Sequence, residues 1–60
     1  MTEHLQILKL RDVCRLTTLH RATIYRLIER NEFPRQIRLG RNRVGWRAAD
    51  IGNWINSQQP

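Results

Sequence analysis

Residues 17–34 read TTLHRATIYRLIERNEFP, and this stretch predicts the helix around which the rest of the chain is organised. Ile24, Leu27 and Ile28 recur at i, i+3 and i+4, which is the spacing of one helix face turned toward a core. We therefore expect these three aliphatic side chains to be buried. The solvent side of the same helix is mixed in character and carries Ala22, Arg26 and Glu29, with Thr23, Tyr25 and Arg30 at its flanks.

Both ends of this helix have sequence signals. Asn31 follows the last apolar position and suits the left-handed conformation found just after a helix, and Pro34 prevents continuation. Thr18 is a good N-cap residue type and His20 is a poor one. The start of the helix is therefore predicted between Thr18 and His20.

The charge balance of the chain is strongly basic. Sixty residues are enough for one small domain near the lower size limit for a single core, and we expect residues 1–60 to form that one domain. Eleven basic residues oppose five acidic ones, for a net charge of +6, and ten of the eleven are arginine. The planar guanidinium fork suits phosphate oxygens and guanine edges. This charge favours an anionic partner, nucleic acid above all, over a merely soluble basic protein.

Cysteine content, hydropathy and the arrangement of titratable residues indicate the cellular compartment and whether catalysis or metal binding is expected. Cys14 is the single cysteine, so it cannot form an internal disulfide, and a reducing compartment fits best. No apolar run is long enough to span a membrane and no signal peptide is evident, which predicts a cytoplasmic protein without a membrane partner. His4, His20 and Cys14 lack metal-ligand spacing, and Asp12 and Asp50 are read as helix-dipole partners. We expect no catalytic residues, no metal and no cofactor, hence no enzyme.

The elements before this helix are short. Residues 5–10 predict a brief strand or an extended lead-in, and residues 11–16 predict a short helix that buries Val13 and Leu16. Residues 17–19 then form a compact connector. Two helices joined by a turn of three or four residues make a helix-turn-helix, whose second helix can lie in a major groove of DNA.

After Pro34 the period of the pattern changes from helical to two. Residues 36–39 and 44–47 predict the two strands of a hairpin whose apolar side packs on the helices. The turn between them, residues 40–43, offers Gly40 and Asn42 for positive φ. Residues 48–57 then predict a closing helix, in which Trp54 and, on the second strand, Trp46 belong to the core rather than to a base-stacking surface. This order of elements predicts a small α+β fold, a winged helix-turn-helix.

The sequence also resembles a known family. The motifs that carry the resemblance are, in chain order, LHRATIYRLI at 19–28, FP at 33–34, IRLG at 37–40, VGW at 44–46, DI at 50–51 and Trp54. Together they resemble the AlpA family of prophage regulators, which belongs to the excisionase-like, MerR-like winged helix domains. The family usually has a small hydroxyl residue where this chain has His20, and a glycine where it has Asn31. The resemblance implies a phage or mobile-element protein that binds double-stranded DNA as a transcriptional regulator or as an excisionase (a recombination directionality factor).

The second helix supplies five candidate DNA-binding residues. Arg26 is central on its exposed face, where it can read a guanine or clamp a phosphate, or remain a solvated arginine near Glu29. Arg21 is better placed for backbone phosphate. The remaining candidates are Ala22, Thr23 and Tyr25. Ala22 would allow close approach to the groove and Thr23 and Tyr25 would offer hydroxyls, while packing at the core edge is the alternative for Tyr25.

The hairpin supplies the other candidates. Arg41 and Arg43, with Asn42 between them, have the character of a wing tip that enters a minor groove or straddles phosphates. Arg38, on the polar face of the first strand, is a further candidate for phosphate contact. The alternative is a charged solvent loop.

Three classes of partner remain open from the sequence. The first is double-stranded DNA, bound weakly by one copy and more tightly with further copies on adjacent repeats or with an integrase. The second is a protein-interaction module that contacts an integrase or polymerase component through its basic face. RNA is the third, although an exposed aromatic platform is poor here.

Overall fold

A computed structural model describes residues 6–58 of the chain. Within these residues, three helices and one three-stranded antiparallel sheet form the small α+β winged helix-turn-helix expected from the sequence. The elements are β1 (Ile7–Leu8), α1 (Leu10–Thr17), α2 (Arg21–Glu29), β2 (Ile37–Gly40), β3 (Arg43–Arg47) and α3 (Ala48–Asn56). Helices α1 and α2 are the helix-turn-helix, β2 and β3 are the wing, and α3 closes the fold. The predicted first strand included Leu5, which, like His4, lies outside the described residues.

The core takes one side chain from each helix, one from the sheet and one from the connector between α2 and β2. These five buried residues are Val13, Ile24, Phe33, Trp46 and Ile51. Leu27 and Ile28 pack against them, as their spacing predicted.

One predicted core residue of α1 is exposed. Leu16 is 55% exposed, so the expectation that it points inward is wrong. Leu10, Val13 and Cys14 form the inward side of this helix. Around the helix axis Leu16 lies about 60° from Val13, in the direction away from Leu10 and Cys14, and it therefore points to solvent.

The sheet has an additional strand beside the predicted hairpin. β3 is central, with β1 on one side and β2 on the other. Ile7 pairs with Arg47 and Leu8 with Trp46, and the amide of Ala48 extends the pairing by donating to the carbonyl of Gln6 at 2.9 Å. The lead-in segment therefore closes one edge of β3 and ties the start of the described chain to the start of α3.

The two strands of the wing place their apolar residues on opposite faces of the sheet. Ile37 pairs with Gly45, and opposed residues of an antiparallel pair share a face, whereas the next residue, Trp46, projects from the other face into the core. Ile7 and Leu39 lie over Gly45 and remain 43% and 50% exposed. The prediction that the whole apolar side of the hairpin packs on the helices is therefore wrong for β2.

The turn of the wing closes without left-handed backbone. Gly40 pairs with Arg43, and the register shifts between Arg38 and Gly40, so that Leu39 is an extra residue on its strand. Neither Gly40 nor Asn42 has a positive φ, which corrects the expected use of these two residues. The bulge changes the path of β2, because an extra residue bends and twists the strand.

Candidate nucleic-acid interface

The start of α2 is fixed by the residues between the two helices. Thr18 has φ 62°, a left-handed conformation that ends α1. The hydroxyl of Thr17 donates to the carbonyl of Val13 at 2.7 Å and accepts from the amide of Leu19 at 3.3 Å. Thr18 therefore serves the end of α1 and is not available as the N-cap of α2.

His20 is the N-cap of α2. Its backbone is extended, with φ −72° and ψ 150°, and its Nδ1 accepts a hydrogen bond from the amide of Ala22 at 3.1 Å. The helix begins at Arg21, one residue later than the predicted interval. The imidazole nitrogen supplies the acceptor that a hydroxyl supplies at most N-caps, which is why the residue-type preference that favoured Thr18 was misleading.

The end of α2 has the backbone pattern of a Schellman motif. Asn31 adopts φ 60°, its amide donates to the carbonyl of Ile28 at 3.0 Å, and the amide of Glu32 donates to the carbonyl of Leu27 at 2.8 Å. The predicted left-handed residue at this position is confirmed. The first and last turns of α2 are thus both held by specific hydrogen bonds.

The two tryptophans anchor the connector that joins α2 to the wing. The indole N–H of Trp46 donates to the carbonyl of Pro34 at 3.0 Å, and that of Trp54 donates to the carbonyl of Glu32 at 2.9 Å. Phe33 packs edge-on against Trp54, with ring centroids 4.8 Å apart and an interplanar angle of 61°. Trp46 is buried in the core and the half-buried Trp54 packs against it, as predicted, and together they tie the wing and α3 to the end of α2.

The solvent face of α2 carries the candidate residues predicted for it. Arg21, Ala22 and Arg26 are exposed and Tyr25 is 40% exposed, while Thr23 is half-buried beside the buried Ile24. Ala22 and Arg26 are four residues apart, so they are neighbours on one face of the helix. The structure leaves this face uncovered over residues 21–26.

Ion pairing leaves the arginines of α2 and the wing available. Within residues 6–58 the one ion pair shorter than 4 Å joins Arg15 to Asp12 at 2.8 Å, so Glu29 does not neutralise Arg26. The hydrogen bond from Arg15 holds the pKa of Asp12 below its ordinary value, and the backbone amide of Lys9 contributes in the same direction. This pair joins the first and last turns of α1 and leaves the exposed face of α2 untouched.

The wing presents its polar residues to solvent. Arg41 and Asn42 form the turn, and Arg43 follows on β3; all three are exposed. Arg38 is also exposed, but its Nε donates to the carbonyl of Gly40 at 3.4 Å, so its guanidinium lies along the strand. Three of the wing candidates are therefore free at or beside the tip, and the fourth is engaged within the wing.

Two further properties of the described part of the chain bear on the site. No group of three or more His, Cys, Asp or Glu residues within residues 6–58 is arranged to hold a metal ion. No helix in the same part of the chain is long and apolar enough to cross a membrane.

Comparison with known proteins gives the family. Residues 6–59 match the family model described as "Prophage CP4-57 regulatory protein (AlpA)". The chain belongs to the AlpA family. It is also similar to "Uncharacterized protein ORF88" of Enterobacteria phage P4, with 38% identity over 50 residues. This alignment covers 83% of the AlpA-family chain and 57% of the phage P4 protein, so the chain spans little more than half the length of that relative. No solved structure matches the chain.

The match over residues 6–59 confirms the AlpA family to which the sequence motifs pointed. The two positions at which the sequence departs from the expected AlpA pattern are the two ends of α2. His20 supplies the cap acceptor expected from a hydroxyl residue, and Asn31 adopts the left-handed conformation expected from glycine. Both departures therefore keep the local geometry of the helix.

Proposed function

We propose that this AlpA-family protein binds double-stranded DNA sequence-specifically, with α2 in the major groove and the wing against the neighbouring backbone or minor groove. The observation that carries the proposal is the face of α2 that presents Ala22 and Arg26. It is exposed, is not neutralised by Glu29, and is held at both ends. The second helix of a helix-turn-helix docks on DNA with the first turns of this face.

Each residue of α2 has a distinct role in this proposal. Arg26 reads a guanine edge or clamps a phosphate, and Arg21 contacts backbone phosphate. Ala22 allows the helix to approach the groove closely because its side chain is small. Thr23 and Tyr25 add contacts at the flanks, with the half-buried Thr23 restricted to the edge of the interface.

The wing extends the contact beyond the major groove. Arg41 and Arg43 suit the negative potential of a narrow minor groove, and Asn42 adds a hydrogen-bonding group at the tip. Arg38 donates to the carbonyl of Gly40 through Nε, so a phosphate would be bound through the two terminal nitrogens of its guanidinium.

In a phage this binding would serve transcriptional regulation, excision of the integrated element, or both. One domain of this size offers a limited contact area, so we propose that further copies on adjacent DNA repeats, or an integrase, strengthen the complex. Contact with an integrase or polymerase component through the basic face alone is the competing function.

A mobility-shift titration tests the proposal. Wild type, Arg26→Ala and Arg41→Ala/Arg43→Ala are compared on DNA around the protein's own gene and any neighbouring integrase attachment site, at two salt concentrations with competitor DNA. Arg47→Ala is the matched control, because it removes the same charge from an exposed residue outside the candidate set, at the end of β3 farthest from the turn of the wing. Which fragment shifts distinguishes a regulator from an excision factor.

We expect discrete bands that resist competitor. Arg26→Ala should reduce the free energy of DNA binding by about 1–3 kcal/mol, the value of a good base contact. With four or five phosphates neutralised, log affinity should fall with log salt at a slope of about −4. A smear that competitor removes, weakened equally by Arg26→Ala and Arg47→Ala, would mean that charge alone acts. Unchanged activity of the Arg26 and wing variants in the phage would favour the protein partner.

A further inference from the structure

The N-cap of α2 is a histidine, and the geometry of its ring determines where the proton resides. Nδ1 of His20 accepts from the amide of Ala22 at 3.1 Å. A neutral imidazole has one N–H and one acceptor nitrogen, so a ring that accepts through Nδ1 carries its proton on Nε2. A doubly protonated ring has no acceptor and would place a positive charge at the positive end of the helix dipole.

This hydrogen bond lies directly beneath the residues that the proposed function brings to DNA. Ala22, whose amide is bound, presents its side chain on the same face as Arg26, and Arg21 precedes it in the first turn. The helix has only nine residues and no acidic residue in its first turn. The ring of His20 is thus the side chain that satisfies a free amide at this end.

We propose that His20 is a positioning residue for DNA recognition: its neutral imidazole, acting through the amide of Ala22, holds the first turn of α2 in the conformation that meets the groove. The inference rests on the proposed function, since it needs α2 to bind DNA. His20 acts on the helix backbone and touches no base or phosphate in this role.

Affinity and salt dependence together distinguish a positioning role of His20 from a direct contact with DNA. Without the cap the first turn frays in the free protein, and binding must reorder it, so affinity should fall by about fivefold, the effect typical of losing an N-cap. The salt dependence should stay unchanged, because no cation that neutralises a phosphate is lost. A direct phosphate contact such as that proposed for Arg26 behaves differently, and its removal should reduce the slope by about one.

The test compares His20→Ala with the conservative variant His20→Asn, which retains a side-chain acceptor suited to an N-cap but lacks the ring. On the DNA fragment bound by wild type, we expect His20→Ala to bind about fivefold more weakly and His20→Asn to bind within about twofold of wild type, both with the wild-type salt slope. Equal weakening of both variants would show that the ring itself contacts DNA and would overturn the proposal. Wild-type affinity of His20→Ala, or a reduced salt slope, would also overturn it.

A DNA-free measurement distinguishes failure of this inference from failure of the proposed function. Amide hydrogen exchange at Ala22 should be faster in His20→Ala than in wild type and restored in His20→Asn. Equal exchange in all three proteins overturns the cap. If the three proteins show the expected exchange pattern but wild type binds no DNA, the cap is established and the proposed function fails. The positioning role, which rests on that function, then fails with it.

Discussion

Replacing Gly45 with alanine should destabilise the protein, because the centre of the sheet has no room for a methyl group. A Cβ at this position would lie 2.6 Å from Cγ2 of Ile7, 3.0 Å from the carbonyl oxygen of Leu8 and 3.2 Å from Cδ1 of Leu39. The side chains of Ile7 and Leu39 are about half exposed and can turn aside. The carbonyl oxygen of Leu8 is backbone in a strand paired with β3, so it moves only if β1 moves.

The size of the effect follows from these contacts. Forcing an extra carbon into a packed site lowers the free energy of unfolding by about 1–3 kcal/mol. Alanine offsets up to about 1 kcal/mol of this loss, because it restricts the unfolded chain more than glycine does. The net loss should therefore be about 1–2 kcal/mol. For a domain of 60 residues this corresponds to a fall in Tm of roughly 5–15 °C.

Thermal unfolding followed by circular dichroism measures the effect, and another glycine provides the control. A Cβ on Gly52, inside α3, meets no atom within 4 Å, so Gly52→Ala should raise the free energy of unfolding by about 1 kcal/mol through helix propensity. The two glycine-to-alanine changes should therefore shift Tm in opposite directions.

The double variant Ile7→Ala/Gly45→Ala tests which contact dominates. It removes the clash with Cγ2 but not the one with the backbone oxygen of Leu8, so its free energy of unfolding should stay below that of Ile7→Ala alone. A Gly45→Ala protein that melts at or above the wild-type temperature would refute the close approach of β1 and β3. Equal stability of the double variant and Ile7→Ala would assign the whole effect to one side chain.

Three further predictions concern hydrogen bonds and backbone outside the sheet. Trp54→Phe should lower the free energy of unfolding by about 1 kcal/mol in urea titrations, since it removes the bond to the carbonyl of Glu32, and an unchanged midpoint would contradict this role. Thr18→Asn should raise the free energy of unfolding by about 0.5–1 kcal/mol, because asparagine tolerates φ 62° better than a β-branched residue does; a lower melting temperature would contradict this. The bond from Arg15 lowers the pKa of Asp12, so the stability it contributes is present above the unfolded value near 3.8 and is lost as the pH falls through the folded value. Asp12→Asn should therefore flatten the loss of Tm below about pH 4, and an unchanged acid profile would exclude the pair as a contributor.

Helix α2 could be predicted because its signals are local. The repeat of Ile24, Leu27 and Ile28 and the end marked by Asn31 and Pro34 lie within a few turns of one another, so spacing alone determines which face is buried. The exposed face, and with it the positions of the candidate DNA-binding residues, follows from the same periodicity. Only the start was misplaced, because Thr18 is used by the preceding helix.

The sheet could be predicted only in part because its contacts join distant residues. Period two shows that Ile37 and Leu39 share a face, but it does not show which face the helices cover. That choice depends on Ile7, a residue of β1 that lies over Gly45 although it comes almost 40 residues earlier in the chain. The extra residue at Leu39 likewise follows from pairing rather than from composition, which is why the turn does not need positive φ.

The architecture separates what stabilises α2 from what α2 presents to solvent. A helix of nine residues is marginal alone in water, so its conformation has to come from the rest of the fold. The burial of Ile24 holds one side of the helix, the cap made by His20 holds its first turn, and the backbone hydrogen bonds around Asn31 hold its last turn. None of these three devices uses the face that carries Ala22 and Arg26. That face is therefore free to vary without a change in fold, and under the proposed function the same scaffold would support different DNA-binding specificities.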